Sequence, residues 1–402
     1  MIKLGTFDAG TPETARSAYL KQVEQLTRAP LADIAPGVDH LGFEPRALDS
    51  SQTMSVADVQ RALVTIGFFP GGMVDGICGY RTQSAIRLFQ EYVRAVERLD
   101  GVPDGRFGAG SERHLQRWLD GALRSVWTPV IAGWQSGTVD SGEYGQWLAL
   151  LAQVKQQYLT APNRALQLVN ASSVASDTRK VTAWDVGPRV VHIVGIRREE
   201  QSGKFDDIFV LLMKGLVFKF QGSTEPGASD DPRGRPFLVQ GQHDYHFGWH
   251  QRKYLALRPQ GAGVLVVRSG HDAALDDADY ARGLEPNGSI NVHWGGKGLT
   301  ADVKTWSEGC QVINGSVYLN PDNVLVSCAS FAALNNGEIA TNAAKTRGAY
   351  NVLLDLVTAL GSDLTPTVKY TLLTEADLAF APVLAQGLAG ARARVTPMLS
   401  DS

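Results

Sequence analysis

The chain has 402 residues, a formal net charge of −3 and an apolar fraction of 44%, which predicts two or three packed domains and excludes a disordered or fibrous protein. It has no long basic run to hold nucleic acid and no stretch of about eighteen apolar residues to form a membrane span. Three cysteines, Cys78, Cys310 and Cys328, are too few for a disulfide framework.

The first residues, MIKLGTFDAGTPETARSAY, lack the basic and apolar regions of a signal peptide. A helix is predicted over Pro12 to Thr27 with Thr11 as its cap. Ala29 to Ser51 is rich in Pro, Gly and Asp and reads as linker. Residues 54–119 carry apolar side chains at helical spacing, first Val56, Val59, Leu63 and Ile66, then Ala85, Ile86, Phe89 and Val93. Between these runs lies Val74-Asp75-Gly76-Ile77-Cys78-Gly79, followed by Thr82. A weaker copy comes next, Val102-Pro103-Asp104-Gly105-Arg106-Phe107-Gly108 and then Ser111. The Asp-Gly pairs predict tight turns, and Thr82 or Ser111 a cap for the next helix. Residues 121–182 read as a helical spacer with Leu148, Leu151, Val154 and Tyr158 on one face, and Trp127, Trp134 and Trp147 are expected to be buried in it.

From about residue 183 the period changes to that of strands. Arg189 to Ile196 is β-branched, and Ile208 to Met213 with Leu216 to Phe220 predict a hairpin turning at Lys214-Gly215. Leu255 to Leu257 and Val264 to Val267 add strands, and short β runs with glycine turns predict a sandwich or barrel. His271, Asp272, Asp276, Asp277 and Asp279 cluster, but the run lacks the glycine and closing glutamate of a calcium loop and reads as a solvated acidic segment. Beyond it, helical patterning covers Phe331 to Leu360, Thr367 to Leu373 predicts a closing strand, and residues 377–402 form a tail with an Ala/Leu/Val-rich helix, which is expected to be loosely held.

Chemistry concentrates in Ile290 to Ile313, INVHWGGKGLTADVKTWSEGCQVI. His293 precedes Cys310 by 17 positions, and Cys310 closes the run Ser307-Glu308-Gly309-Cys310. A thiol is nucleophilic only as thiolate, so it needs a neighbour that lowers its pKa or takes its proton; an imidazole brought beside it by the fold does both. The Gly-Cys step offers successive backbone N–H groups of Gly309 and Cys310 as an oxyanion hole. Ser307 is expected to orient the loop or His293.

His293, Ser307, Gly309 and Cys310 fall on the motif positions of the L,D-transpeptidase catalytic domain, which residues 183–376 resemble. Glu308 stands where that family has histidine, and the ending Ser-x-Gly-Cys-Gln is similar to a divergent branch found in phage and other wall-attacking proteins. Residues 51–120 resemble the three-helix peptidoglycan-binding domain, through Val59-Gln60 with Leu63, Asp75-Gly76-Ile77-Cys78-Gly79 with Thr82, and Ala85 with Phe89-Gln90. The resemblances imply an α+β multidomain chain: an N-terminal extension over 1–50, the small helical binding module, the spacer, a mainly-β sandwich and the tail.

They also imply an enzyme that acts on peptidoglycan by Cys310/His293 acyl chemistry at stem-peptide amides, with no cofactor and no metal. Gln311, Trp294, His250, Tyr254 and Glu225 are the expected substrate contacts, and Tyr80 and Arg81 those of the binding module. A glycan-cleaving muramidase with Glu308 as its acid, and a non-catalytic wall-binding protein, are the rival readings. Without a recognisable leader, such an enzyme is expected to reach the wall by lysis, phage injection or a secretion machine, and as a toxin it would have an immunity partner.

Overall fold

The structure is a computed structural model that describes residues 1–27, 46–48, 53–69, 72–128, 142–198, 204–227, 231–251, 253–270, 275–297, 307–361 and 367–395. It is mixed α and β and divides into two compact units, neither of them continuous in sequence. One comprises Met1–Pro129, Phe247–Leu255 and Phe331–Pro366; the other comprises Val130–His246, Ala256–Ser330 and Thr367–Ser402. No helix among the described residues is long and apolar enough to cross a membrane.

In the first unit three helices, Val56–Ile66, Tyr80–Ala95 and Ala109–Asp120, bury the apolar faces that the spacing predicts. Phe68, Phe89, Tyr92 and Trp118 meet edge to face at their centre, geometries that aromatic quadrupoles favour. The two Asp-Gly copies fold alike. Gln60 is buried, and its Nε2 donates to Asp75 Oδ1, Ile77 O and Thr82 Oγ1 at 2.8, 3.0 and 3.0 Å. Its Oε1 accepts from the N–H groups of Asp75 and Gly76. In the second copy Gln90 Nε2 donates to Asp104 Oδ1, Arg106 O and Ser111 Oγ, and its Oε1 accepts from Gly105 N–H. Gly76 and Gly105 have φ of 72° and 73°, a left-handed conformation that glycine adopts without steric cost.

The N-terminal residues belong to this module. Cys78 and Phe107 occupy matching places in the two copies, and each exchanges backbone hydrogen bonds with the chain start, Cys78 with Thr6 and Gly5 and Phe107 with Ile2. The Asp8 carboxylate accepts from Val56 N–H and Ala57 N–H, capping the first of the three helices. The predicted N-terminal helix runs Glu13–Thr27. Helix Ala349–Leu360, buried along almost its whole length, packs against Tyr80–Ala95.

The mainly-β part of the chain is built on a sheet that closes on itself. In order around the ring run Val292–Trp294, Tyr254–Pro259, Gly241–His250, Val368–Thr374, Val191–Arg197, Asp207–Met213, Leu216–Ser223 and Gln311–Leu319, and the last pairs with the first. The mainly-β half is thus barrel-like, with a separate three-stranded sheet beside the ring path, Glu285–Asn287, Val264–Arg268 and Pro236–Leu238. The hairpin turns where predicted: Lys214 and Gly215 have φ of 51° and 89°, the pair of positive values a two-residue turn of matching twist requires.

Strand residues alternate between two buried faces. Ile208, Val210 and Leu212 join Leu148, Leu151 and Val154 of helix Glu143–Thr160 in one apolar cluster, while Phe209, between them, stacks on Tyr370. Burial on both faces explains the continuous apolar runs of these strands. The C-terminal segment is not loosely held up to Val395: Leu384, Leu388, Ala391 and Val395 of helix Pro382–Val395 complete the same cluster. Trp127 and Trp147 are buried as expected, and Trp134 lies outside the described residues.

Candidate active site

Closure of the sheet makes the site. Strands Val292–Trp294 and Gln311–Leu319 are parallel neighbours, with Val292 opposite Gln311 and His293 opposite Val312. Parallel neighbours cannot be joined by a tight turn and need a crossover, and the spacing between His293 and Cys310 is the length of that crossover. Cys310 ends it, one residue before the chain re-enters the sheet. In this register Cys310 lies opposite Asn291, whose carbonyl accepts from Gln311 N–H at 2.8 Å, and His293 is two residues further along the same strand.

The thiol is held by main chain. Cys310 Sγ accepts from Asn291 N–H at 3.3 Å and donates to Ser289 O at 3.2 Å; His293 is not a hydrogen-bond partner of the sulfur. The cysteine is partly exposed, yet the protein packed around its sulfur pushes the thiol up to about 11, against the pull of Asn291 N–H and Ser307. Glu308 adds to the rise and Arg258 opposes it. The resting group is therefore a neutral thiol.

His293 is buried, and burial brings its pKa down to about 4. Its Nδ1 lies 2.8 Å from Trp294 O. A carbonyl can only accept, so Nδ1 carries the proton and Nε2 keeps the lone pair. At neutral pH this is an imidazole in its basic form with a fixed tautomer, the state a general base needs.

The turn before Cys310 is built by Ser307, whose Oγ donates to Cys310 O at 2.9 Å and accepts from Gly309 N–H at 3.1 Å. Gly309 N–H is thus spent inside the turn and does not serve the expected oxyanion hole. Cys310 N–H has no hydrogen-bond partner among the described residues and is the donor the turn leaves open. Gly309 is required by close packing, since a Cβ there would stand 2.5 Å from Pro236 O.

Gln311 is placed differently from a substrate contact. It is completely buried; its Nε2 donates to Thr224 O at 3.2 Å and its Oε1 accepts the Tyr370 hydroxyl at 2.7 Å. Thr224 is held in turn by Asp207 and Arg197, and Gly227 N–H donates to Ser307 O at 2.8 Å. The loop after strand Leu216–Ser223 therefore underpins the cysteine turn. Glu225 sits buried in that loop and Trp294 is buried in the core. Asn291, Ser289, Thr224 and Tyr370 were not legible as site residues from spacing, although the isolated Gly195 in strand Val191–Arg197 was a signal. A Cβ there would come 2.2 Å from the Tyr370 hydroxyl, and a glycine inside a strand marks such an approach.

Comparison with protein-family models, with curated proteins and with solved structures returns no match. The chemistry of the site rests on its own geometry.

Glu308 is exposed on the turn and is not set in a buried cleft. Asp207 is buried, which brings it up to about 7, but its carboxylate accepts from Thr224 N–H, Thr224 Oγ1 and Arg198 N–H and is a structural anchor. No group of three or more His, Cys, Asp or Glu among the described residues is placed to hold a metal. Asp276 and Asp279 form a capping box on helix Asp277–Ala281, and His271 and Asp272 lie outside the described residues.

His250, Tyr254, Tyr80 and Arg81 all belong to the first unit. Arg81 donates to Thr358 O and Gly361 O at 3.3 and 2.8 Å, binding the last carbonyls of helix Ala349–Leu360, as cations do at helix C-termini. Tyr254 carries the Arg347 guanidinium 4.3 Å above its ring, and His250 packs beside it.

Proposed function

We propose that the chain is a cysteine acyltransferase or hydrolase acting on stem-peptide amides of peptidoglycan. The observation that carries this reading is the Nδ1–H tautomer of His293, a basic imidazole two residues along the strand from the position opposite Cys310. In the reaction the Cys310 thiol leaves Ser289 O and gives its proton to His293 Nε2. The thiolate attacks the amide carbonyl, and Cys310 N–H stabilises the oxyanion. The imidazolium returns the proton to the departing amine, leaving a thioester. Water then completes a hydrolysis, or a second amine a transpeptidation. The elevated resting pKa of the thiol guards it from adventitious alkylation and oxidation until bound substrate rearranges the site.

The choice of substrate is supported by the resemblance of 183–376 to L,D-transpeptidases and of 51–120 to peptidoglycan-binding modules. A tethered binding module raises the local substrate concentration. Mass spectrometry of purified sacculi after incubation tests the proposal. Altered or cross-linked stem peptides are expected from the wild type and none from Cys310→Ala; new reducing sugar ends, or equal products from both proteins, overturn it.

A further inference from the structure

Two main-chain groups of one short segment, Ser289 O and Asn291 N–H, hold the sulfur of Cys310. The two ends of the segment are anchored differently. Asn291 is tied to the neighbouring strand, since its carbonyl accepts from Gln311 N–H at 2.8 Å. Ser289 sits in an exposed turn, where its own N–H donates to Asn287 Oδ1 at 2.9 Å. Between them lies Ile290, whose carbonyl accepts the Tyr245 hydroxyl at 2.9 Å. The Ile290 side chain reaches the cysteine turn, its Cδ1 3.0 Å from where a Cβ on Gly309 would stand.

The ladder has no donor for the Ile290 carbonyl. Asn291 turns both its N–H and its C=O toward Cys310 and Gln311, so strand alternation turns those of Ile290 the other way, toward strand Tyr254–Pro259. Val292 stands opposite Leu257 there, which puts Pro259 opposite Ile290, and a proline has no N–H to give. Tyr245, from the strand beyond, Gly241–His250, donates in its place. It is fully buried and meets Tyr370 edge-on, with ring centroids 5.8 Å apart. Burial raises its phenol well above the ordinary range, and Tyr370 and Cys310 add to the rise, so the hydroxyl keeps its proton at neutral and mildly alkaline pH.

We propose that Tyr245 is a positioning residue for Cys310, which through Ile290 O keeps Ser289 O on the thiol. The inference takes Cys310 as the reacting group from the proposed function. Tyr370 steadies the strand that follows the cysteine, and Tyr245 steadies the segment that faces it. Without the Tyr245 hydroxyl, Ser289 O is released, while Asn291 N–H stays in place through Gln311. A thiol that loses its acceptor and keeps its donor ionises more readily.

The test is iodoacetamide alkylation of the full chain at about pH 8, with peptide mapping of Cys310. Tyr245→Phe keeps the ring against Tyr370 and removes only the hydroxyl; Glu308 and Arg258, the charged groups that act on the sulfur, are unchanged. Cys310 in this variant is expected to react at least about tenfold faster than in the wild type. Adding Pro259→Ala, which returns an N–H opposite Ile290, is expected to slow the thiol again, a rescue that general loosening would not give. A folded Tyr245→Phe that reacts at the wild-type rate overturns the proposal. Where thermal unfolding shows that Tyr245→Phe does not fold, the doubly substituted chain decides, and reaction there as fast as in unfolded protein overturns it. Products from sacculi are a separate measurement: their absence in the wild type would count against the acyl chemistry and not against the role of Tyr245.

Discussion

Tyr370 donates its hydroxyl to Gln311 Oε1 at 2.7 Å, beneath the turn that presents Cys310. Neither residue is exposed, and the approach is possible because Gly195 has no side chain. The cysteine turn is thereby tied to a strand far away in the chain. Tyr370→Phe leaves a buried carbonyl oxygen without its donor, at a cost of about 1–3 kcal/mol. Its kcat on sacculi is expected to fall with little change in KM. Gly195→Ala, which puts a Cβ into the tyrosine, should do more harm in the same direction. Urea unfolding and steady-state product assays of both variants check this, and unchanged stability in Tyr370→Phe would refute the tie.

Cys310→Ala is expected to lower turnover by at least about a thousandfold, as loss of a nucleophile does, while leaving the unfolding midpoint nearly unchanged. The sulfur's hydrogen bonds with described main chain are two weak ones, with Asn291 N–H and Ser289 O. Gly309→Ala is the contrasting variant. It has no room against Pro236 O and should lose stability and activity together, as overpacked sites do.

The raised thiol predicts the alkylation profile of the free enzyme. Cys310 should react with iodoacetamide slowly at neutral pH, and its rate should climb until about pH 11, followed by peptide mapping to separate it from the buried Cys78 and Cys328. Because the folded thiol titrates above its ordinary value of 9.0, the folded state holds this proton more tightly than the unfolded chain. Its contribution to stability is present below pH 9 and is lost as pH rises toward 11. A rate plateau near pH 7 would contradict the resting geometry.

His293 acts in the opposite pH range. Its pKa falls from 6.5 to about 4 on folding, so the unfolded state binds the extra proton first. The associated stability is present above pH 6.5 and is lost as pH falls through 4, by on the order of 3 kcal/mol. His243, held down to about 3 by burial, adds to the acid sensitivity of the wild type. The difference in unfolding free energy between wild type and His293→Asn isolates the residue, and it should shift in favour of the variant as pH falls from 7 to 4.

The paired glutamines of the first unit give a graded prediction. Gln60 is buried and makes five hydrogen bonds, so Gln60→Ala should destabilise by about 2–4 kcal/mol. Gln90 makes the corresponding contacts from a more exposed position, and Gln90→Ala should cost about half as much. Chemical denaturation of the full chain measures both; equal small losses would show that the repeat is decorative.

Local features could be read without coordinates because they depend on local physics. Helical spacing located Val56–Ile66 and Tyr80–Ala95, positive φ at Lys214-Gly215 follows from the hairpin twist, and the two Asp-Gly turns follow from their own composition. The residues of the cysteine turn were legible because they are contiguous. Nothing local could say that Gln311 would turn inward to Tyr370, that Ser307 would use up Gly309 N–H, or that Asn291 and Ser289 would hold the sulfur. Nor could it say that residues 331–366 would join the first unit. Those outcomes follow from which strands become neighbours when the sheet closes. Periodicity assigns a side chain to one face of its own element, but its partners and its proton affinity depend on packing between elements remote in sequence.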